Sequence, residues 1–195
     1  MPLTLVLGPA NSAKAGEVLG AFGDAAHRGA LLVVPTALDA DHYARELARD
    51  GIVLGSVLTF RGVAREIAMR AGYAGRRLSE LQRELVLRRV VDGLKLEMLG
   101  RSARAPGFAG AAGELIAELE RSLITPQRLH QALSVWAAAD PRRAPYARDV
   151  ASIYRAYAAE LDRIGRVDAE LYAWRALDAL RADTVAHDRS LPIAA

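Results

Sequence analysis

The stretch Gly8-Pro9-Ala10-Asn11-Ser12-Ala13-Lys14-Ala15 sets a glycine and a lysine six residues apart, after the apolar run at residues 3–7. A phosphate-binding loop reads G-x-x-x-x-G-K-[ST] between a strand and a helix. Its glycines let backbone N–H groups wrap the phosphates, and the helix N-terminus adds partial positive charge. The lysine reaches the β and γ phosphates, and the final hydroxyl ligates Mg²⁺. Gly8 and Lys14 match this pattern, whereas Ala13 adds a Cβ where backbone should approach phosphate closely. Ala15 has no oxygen for a metal, and the Ser12 hydroxyl lies three positions away from where Mg²⁺ would sit. Three readings stand on this pattern: a working nucleotide site, a site that has lost hydrolysis, or an ordinary strand–turn–helix connection. Loss of the metal-binding hydroxyl damages hydrolysis more than binding, because metal clamping is central to phosphoryl transfer. Of 26 basic residues only Lys14 and Lys95 are lysine, so a lysine here stands out from an arginine-rich background.

Other candidate groups have simpler readings. His27, His42, His130 and His187 are scattered and lack metal-ligand spacing, and no residue is assigned to catalysis or to a metal. Glu114, Glu118 and Glu120 beside Arg121 read as a solvated helix face with i, i+4 partners. Trp136, Tyr154, Tyr157 and Trp174 could stack on bases, but aromatics at helical spacing read first as core. Arg83, Arg88 and Arg89 could follow a phosphate backbone, with a solvated helix face as the plainer reading. Zero cysteines exclude disulfides, thiolate zinc sites and cysteine-held iron–sulfur clusters within this chain. A net charge of +3 permits nucleic-acid binding without arguing for it. No apolar run approaches the roughly 18 residues of a membrane span, and the N-terminus does not read as a signal peptide. The expected location is cytoplasmic, with no membrane partner.

The elements that would position the loop alternate. Apolar runs at residues 3–7, 30–34 and 56–60 have the length and two-faced apolarity of buried parallel strands. Segments of helical spacing follow each, through Val18, Leu19 and Phe22, through Leu38, Tyr43 and Leu47, and through Phe60, Val63 and Ile67. Strand–helix alternation with short links indicates a parallel sheet. After about residue 75 the strands stop. Ser79-Glu80-Leu81-Gln82 is a capping-box pattern opening an amphipathic stretch through Leu85, Val91, Leu94 and Met98. Further helical stripes run from Phe108 to Leu123, from Thr125-Pro126 to Trp136, from Val150 to Ile164, and from Asp168 to Leu180. Residues 141–145 read as a loop, and those from Asp183 onward as a tail.

The segment "VLTFRGVAREIAMRAG", residues 57–72, resembles the T-F-H-G/S-L-A segment of superfamily 1 helicases of the UvrD/Rep type. Thr59, Phe60, Gly62 and Ala64 match, with Arg61 for histidine and Val63 for leucine. A closer resemblance is to the AddB/RexB family of helicase/nuclease proteins, whose N-terminal region is a divergent helicase core. It rests on the loop, on "VP" closing the second run, on "LTF", and on "PGF" followed by "ELERSLITP". The resemblance covers residues 3–180. It implies ATP-dependent helicase/exonuclease work on double-strand DNA ends in recombinational repair, with a scaffold or DNA-holding role for a chain of this kind. Nucleotide contacts would fall on residues 8–15, and contacts to single-stranded or end-frayed DNA on Thr36, Thr59, Phe60 and Arg61. ATP and Mg²⁺ are the family's cofactors, weakened or lost here, and a helicase/nuclease partner subunit is implied.

The resemblance also implies that an acidic strand, a second motor domain and nuclease carboxylates follow such a region. The chain is therefore expected to be an N-terminal piece of a longer protein that alone neither unwinds nor cuts DNA. The expected fold is α/β: an incomplete P-loop NTPase-like parallel sheet with helices over residues 1–75, then an all-helical insertion subdomain over 76–182 and a tail at 183–195. The alternative is a non-enzymatic interaction module that docks a motor subunit without nucleotide.

Overall fold

The computed structural model describes residues 3–48, 51 and 55–182. The chain forms two compact units, Met1–Ala74 with Arg175–Ala195, and Gly75–Trp174. The expected tail lies outside the described residues.

The first unit is a small α/β layer. Helix α1 (Lys14–Ala25) leads into β1 (Leu31–Val34), α2 (Ala37–Leu47), β2 (Ser56–Thr59) and α3 (Phe60–Arg70). The strands pair in parallel, with Leu31 opposite Ser56 and Val34 opposite Thr59. Parallel neighbours need a crossover, and α2 supplies it. Phe22, Leu32 and Val34 form the buried centre, and Leu19, Tyr43 and Val57 pack on it. Gly55 is required there, because a Cβ would stand 2.5 Å from the Phe22 ring and 2.9 Å from the Ala30 carbonyl oxygen. Thr36 opens α2 with a capping box: its Oγ1 accepts the Asp39 N–H, and its own N–H donates to the Asp39 carboxylate.

Two expectations for this unit need correction. The apolar run at residues 3–7 is not a strand: it carries no ladder, and Leu3, Leu5 and Leu7 are largely exposed. A strand exists only where a partner accepts its backbone groups, and neither described strand pairs with this run. Nor is β1 buried on both faces. Leu32 and Val34 are buried while Val33 between them is exposed, so the apolar run hides a one-sided burial.

The second unit is helical, with α4 (Glu80–Asp92), α5 (Phe108–Arg121), α6 (Pro126–Ala138) and α7 (Ala144–Ile164). The first turns of α8 (Ala169–Ala182) belong to it through Trp174. Sequence caps operate as their chemistry requires. Ser79 and Gln82 form the reciprocal box on α4. The Thr125 hydroxyl accepts the Arg128 N–H ahead of Pro126, and Asp168 accepts the Leu171 N–H at 3.0 Å. Gly165 ends α7 in the left-handed region at φ 62°, where a Cβ would be strained. The chain then closes on itself: Leu78 N–H donates to Val167 O, and Val167 N–H donates to Arg76 O. Helix α7 is the central element, and Tyr157 and Leu161 on it are fully enclosed with Leu87 and Ile116.

The amphipathic stretch through Met98 is not one helix. Helix α4 stops at Asp92 with Gly93 as its C-cap, and residues 93–104 form turns and a short 3-10 segment. Asp149 on α7 holds that segment. Its carboxylate accepts the N–H groups of Glu97 at 3.0 Å, Met98 at 2.7 Å and Leu99 at 2.8 Å. Burial opposes ionisation of Asp149, but these three bonds, aided by the Arg148 charge, outweigh it and hold the carboxyl below its ordinary range.

Asp149→Ala would leave three N–H groups without an acceptor and should cost about 2–4 kcal/mol in the helical unit. Urea unfolding followed by tryptophan fluorescence measures this. Because the folded carboxyl is depressed, its contribution is fully present above the ordinary aspartate range and is lost as pH falls through the depressed value. Asp149→Ala should flatten that acid limb.

Candidate functional site

The loop at residues 8–15 is built on a tight set of backbone constraints. Asn11 and Ala13 both lie at positive φ, 60° and 57°. Ala13 is the N-cap of α1 in the left-handed region, with no side-chain cap. A glycine would occupy that conformation without the Cβ penalty. Gly8 approaches the loop so closely that a Cβ would meet Ser12 Oγ at 2.5 Å. Lys14 turns back across the loop, its Nζ donating to Gly8 O at 2.7 Å and Pro9 O at 2.5 Å. Pro9, Ala10 and Ala15 are exposed. The structure thus folds the eight residues into one loop that its lysine ties together, ahead of a helix N-terminus carrying Glu17 as its first-turn acid.

The second group sits where the parallel strands end. Since Val34 faces Thr59 across the ladder, Thr36 and Phe60 emerge at the same carboxyl edge. The Thr59 hydroxyl is committed as the cap of α3, accepting the Gly62 N–H at 3.2 Å. Thr36 is committed likewise at α2. What remains free for a ligand is Phe60, 74% exposed, and Arg61, exposed without an ion pair among the described residues. Leu38, 76% exposed, stands in the first turn of α2. Arg61 lies in the first turn of a helix with no acidic residue there, and the helix dipole disfavours a cation at that end. An exposed ring and a cation in an unfavourable field are both features that folding alone does not require. The loop leads into α1, which packs on the same small sheet. Phe22, late in α1, packs beside Gly55 just before β2 and with Leu32 and Val34 of β1. In open α/β sheets the carboxyl edge of the strands is where ligands bind.

Within the helical unit, three assignments change. Glu120, read as part of a solvated face, is buried at 8% exposure, while Glu114 and Glu118 are exposed. Arg83, read as part of a basic patch, is turned inward: it donates to Gly113 O and lies 3.9 Å from Asp168. Arg88 is paired with Glu84, so no continuous basic face forms from Arg83, Arg88 and Arg89. Tyr154 and Tyr157 are core, in line with the plainer reading, and Trp174 is half-buried. Trp136 is partly exposed, with the Arg143 guanidinium 5.0 Å from its ring centroid. His42 stands 3.5 Å from Glu46, His27 lies in a 3-10 turn, and His187 is outside the described residues. Among the described residues no group of three or more acidic, histidine or cysteine side chains could hold a metal. No helix among them is long and apolar enough to cross a membrane.

The buried polar group is the feature that sequence reading missed. Asp168, 2% exposed, accepts the Tyr157 hydroxyl at 3.1 Å through Oδ2 while Oδ1 caps α8. Glu120 lies within hydrogen-bonding reach of it. Burial and the Asp168 charge push the Glu120 carboxyl up to about 9. Burial likewise raises the Tyr154 and Tyr157 phenols, which stay neutral. The signal was present in the spacing: Glu120 follows Ile116 by four residues and Ala117 by three, on the buried stripe of α5, whereas Glu114 and Glu118 lie on another face.

These features define an α/β layer with ligand-accessible groups along one strand edge, joined in sequence to a helical unit. Residues 24–187 match the family model for ADDB, N-terminal, and the chain belongs to that family of AddB-type DNA-repair subunits. The matched span includes Thr36 and Thr59, Phe60 and Arg61, but begins after the loop. No curated protein sequence matches the chain.

Ala13→Gly should remove the left-handed strain and stabilise the start of α1 by about 0.5–1 kcal/mol after the entropic cost of glycine. Gly8→Ala should act in the opposite direction through its clash with Ser12. Hydrogen exchange of the α1 amides measures both.

Proposed function

We propose that this chain is the DNA-holding N-terminal part of an AddB-type helicase/exonuclease subunit acting on double-strand DNA ends in recombinational repair. The observation that carries the reading is the exposed Phe60–Arg61 pair at the carboxyl edge of a parallel sheet, within a chain of the ADDB family. A single strand or frayed end would stack a base on Phe60 and set a phosphate against Arg61, with Thr36 and Thr59 fixing the helix starts that present them. This chemistry reads a backbone and a π-face, not a base sequence. A helicase/nuclease partner subunit would supply the motor.

In this reading residues 8–15 descend from a phosphate loop that retains nucleotide affinity weakly or not at all. Gly8, Lys14 and the left-handed backbone at residue 13 support that descent. The donor set does not fit Mg²⁺: Ala15 lacks the hydroxyl, and no acidic cluster among the described residues replaces it. Hydrolysis is therefore not part of the proposal, and no catalytic residue is assigned.

A docking module without nucleotide is the second reading. It is favoured by Leu3, Leu5 and Leu7, exposed at 94%, 73% and 80%. An unpaired apolar run of that kind is a surface for another chain.

For DNA, Phe60→Ala should weaken single-strand binding by about 1–3 kcal/mol with the salt slope unchanged. Arg61→Ala should reduce the slope of log affinity against log salt by about 0.7, the share of one phosphate contact. Fluorescence anisotropy with a labelled oligonucleotide reads both, and an unchanged affinity in the two variants would favour the docking module. In an ATP titration, any affinity should disappear in Lys14→Ala and should not increase when Mg²⁺ is added.

A further inference from the structure

Apart from Asp149, one cluster in the interior of the helical unit holds two carboxyl groups and one guanidinium. Asp168 begins α8, Glu120 ends α5, and Arg83 comes from α4. The other titratable groups facing them are Tyr154 and Tyr157 from α7, and Glu170 from α8. Glu170 already has a partner, Arg121, at 3.4 Å, and the phenols are neutral. Charge counting then decides the state of the centre. With both carboxyls ionised, one buried cation would face two buried anions, an arrangement a desolvated interior strongly disfavours.

Geometry says which carboxyl takes the proton. Asp168 accepts from the Leu171 N–H and from the Tyr157 hydroxyl, with Arg83 close by. Glu120 Oε2 is buried with no partner at all. A protonated Glu120 can donate to Asp168, whereas ionising both carboxyls would set two buried anions against one guanidinium, whose Nε is itself without a hydrogen-bond partner.

We infer that Glu120 keeps its proton in the folded protein and donates it to Asp168, and that this proton is a latch holding the first turn of α8 against α4, α5 and α7. When it leaves, Glu120 and Asp168 become neighbouring buried like charges. Asp168 can then relieve the repulsion only by withdrawing from the Tyr157 hydroxyl and the α8 cap. The sign follows from linkage. The folded state binds one proton more than the unfolded chain between the ordinary glutamate range and the raised folded value. Stability from the pair is therefore fully present below that ordinary range and is lost as pH rises.

Glu120→Gln keeps shape and a donor but removes the titration. On the full chain, urea unfolding followed by tryptophan fluorescence between about pH 6 and pH 8 should give a ratio of unfolding constants, wild type over Glu120→Gln, that rises about tenfold per pH unit. Parallel profiles would overturn the retained proton. Hydrogen exchange at Leu171, corrected for intrinsic rate, reads the latch itself: its protection should fall with pH in wild type and stay level in Glu120→Gln. A shifted unfolding ratio with identical Leu171 protection would overturn the latch. Should Glu120→Gln fail to fold, carboxyl carbon NMR of the wild-type chain decides. One glutamate carboxyl still protonated at about pH 7 is expected, and full ionisation of every glutamate by then would overturn the inference.

Discussion

Parallel pairing of two four-residue strands determines what the candidate site can be. The register from Leu31 opposite Ser56 to Val34 opposite Thr59 makes both strands end together. Each strand then runs directly into a helix, through Pro35-Thr36 after β1 and without any intervening residue after β2. Both helices begin with a threonine cap, so neither threonine side chain is free for a ligand. The result is an edge where two helix N-termini open side by side, with Phe60 and Arg61 left exposed. An antiparallel pair would have placed one of these starts at the opposite end of the sheet, and no shared edge would exist. Backbone pairing thus comes before any side-chain argument.

The helical unit follows a different logic, in which buried carboxylates organise irregular backbone. Asp149 takes three N–H groups from a segment that helical periodicity would have continued. Asp168 caps α8, receives a phenol and faces a guanidinium at the point where Val167 bridges back to residues 76 and 78. Each is buried because its oxygens are satisfied by donors that the fold brings to them. Apolar packing around Tyr157 and Leu161 supplies the bulk of the core, while the two aspartates fix where helices stop and start.

Local chemistry was legible in the sequence, and long-range satisfaction was not. Ser79 with Gln82, Thr125 with Pro126, and Asp168 all announced helix starts, because capping depends on residues three apart. The run at residues 3–7 reads as a strand from its composition, yet strand formation depends on a partner that composition does not name. Val91, Leu94 and Met98 keep helical spacing past Gly93, and only Asp149, some fifty residues away, explains why the chain turns there instead. Arg83 shows the same limit, whereas Glu120 stands on the buried stripe of α5 with Ile116 and Ala117. A charged residue on a helix reads as solvated until another element supplies its counterpart, and the counterparts here lie on α5, α7 and α8.

The loop at residues 8–15 makes the same distinction within a single motif. Its glycine-to-alanine change at position 13 reads in sequence as a lost feature. In the folded chain Ala13 nonetheless holds the left-handed conformation that glycine would adopt freely, and Lys14 still crosses the loop to the carbonyls of Gly8 and Pro9. Positive φ at a residue with a Cβ costs about 1–2 kcal/mol, and the chain accepts it at Ala13 as it does at Leu123 after α5. The hydroxyl that Ala15 lacks, by contrast, belongs to metal chemistry and leaves no mark on the backbone. In the proposed reading loop shape and metal ligation are therefore separable, because the backbone at residues 11 and 13 is set without any ligand for a metal.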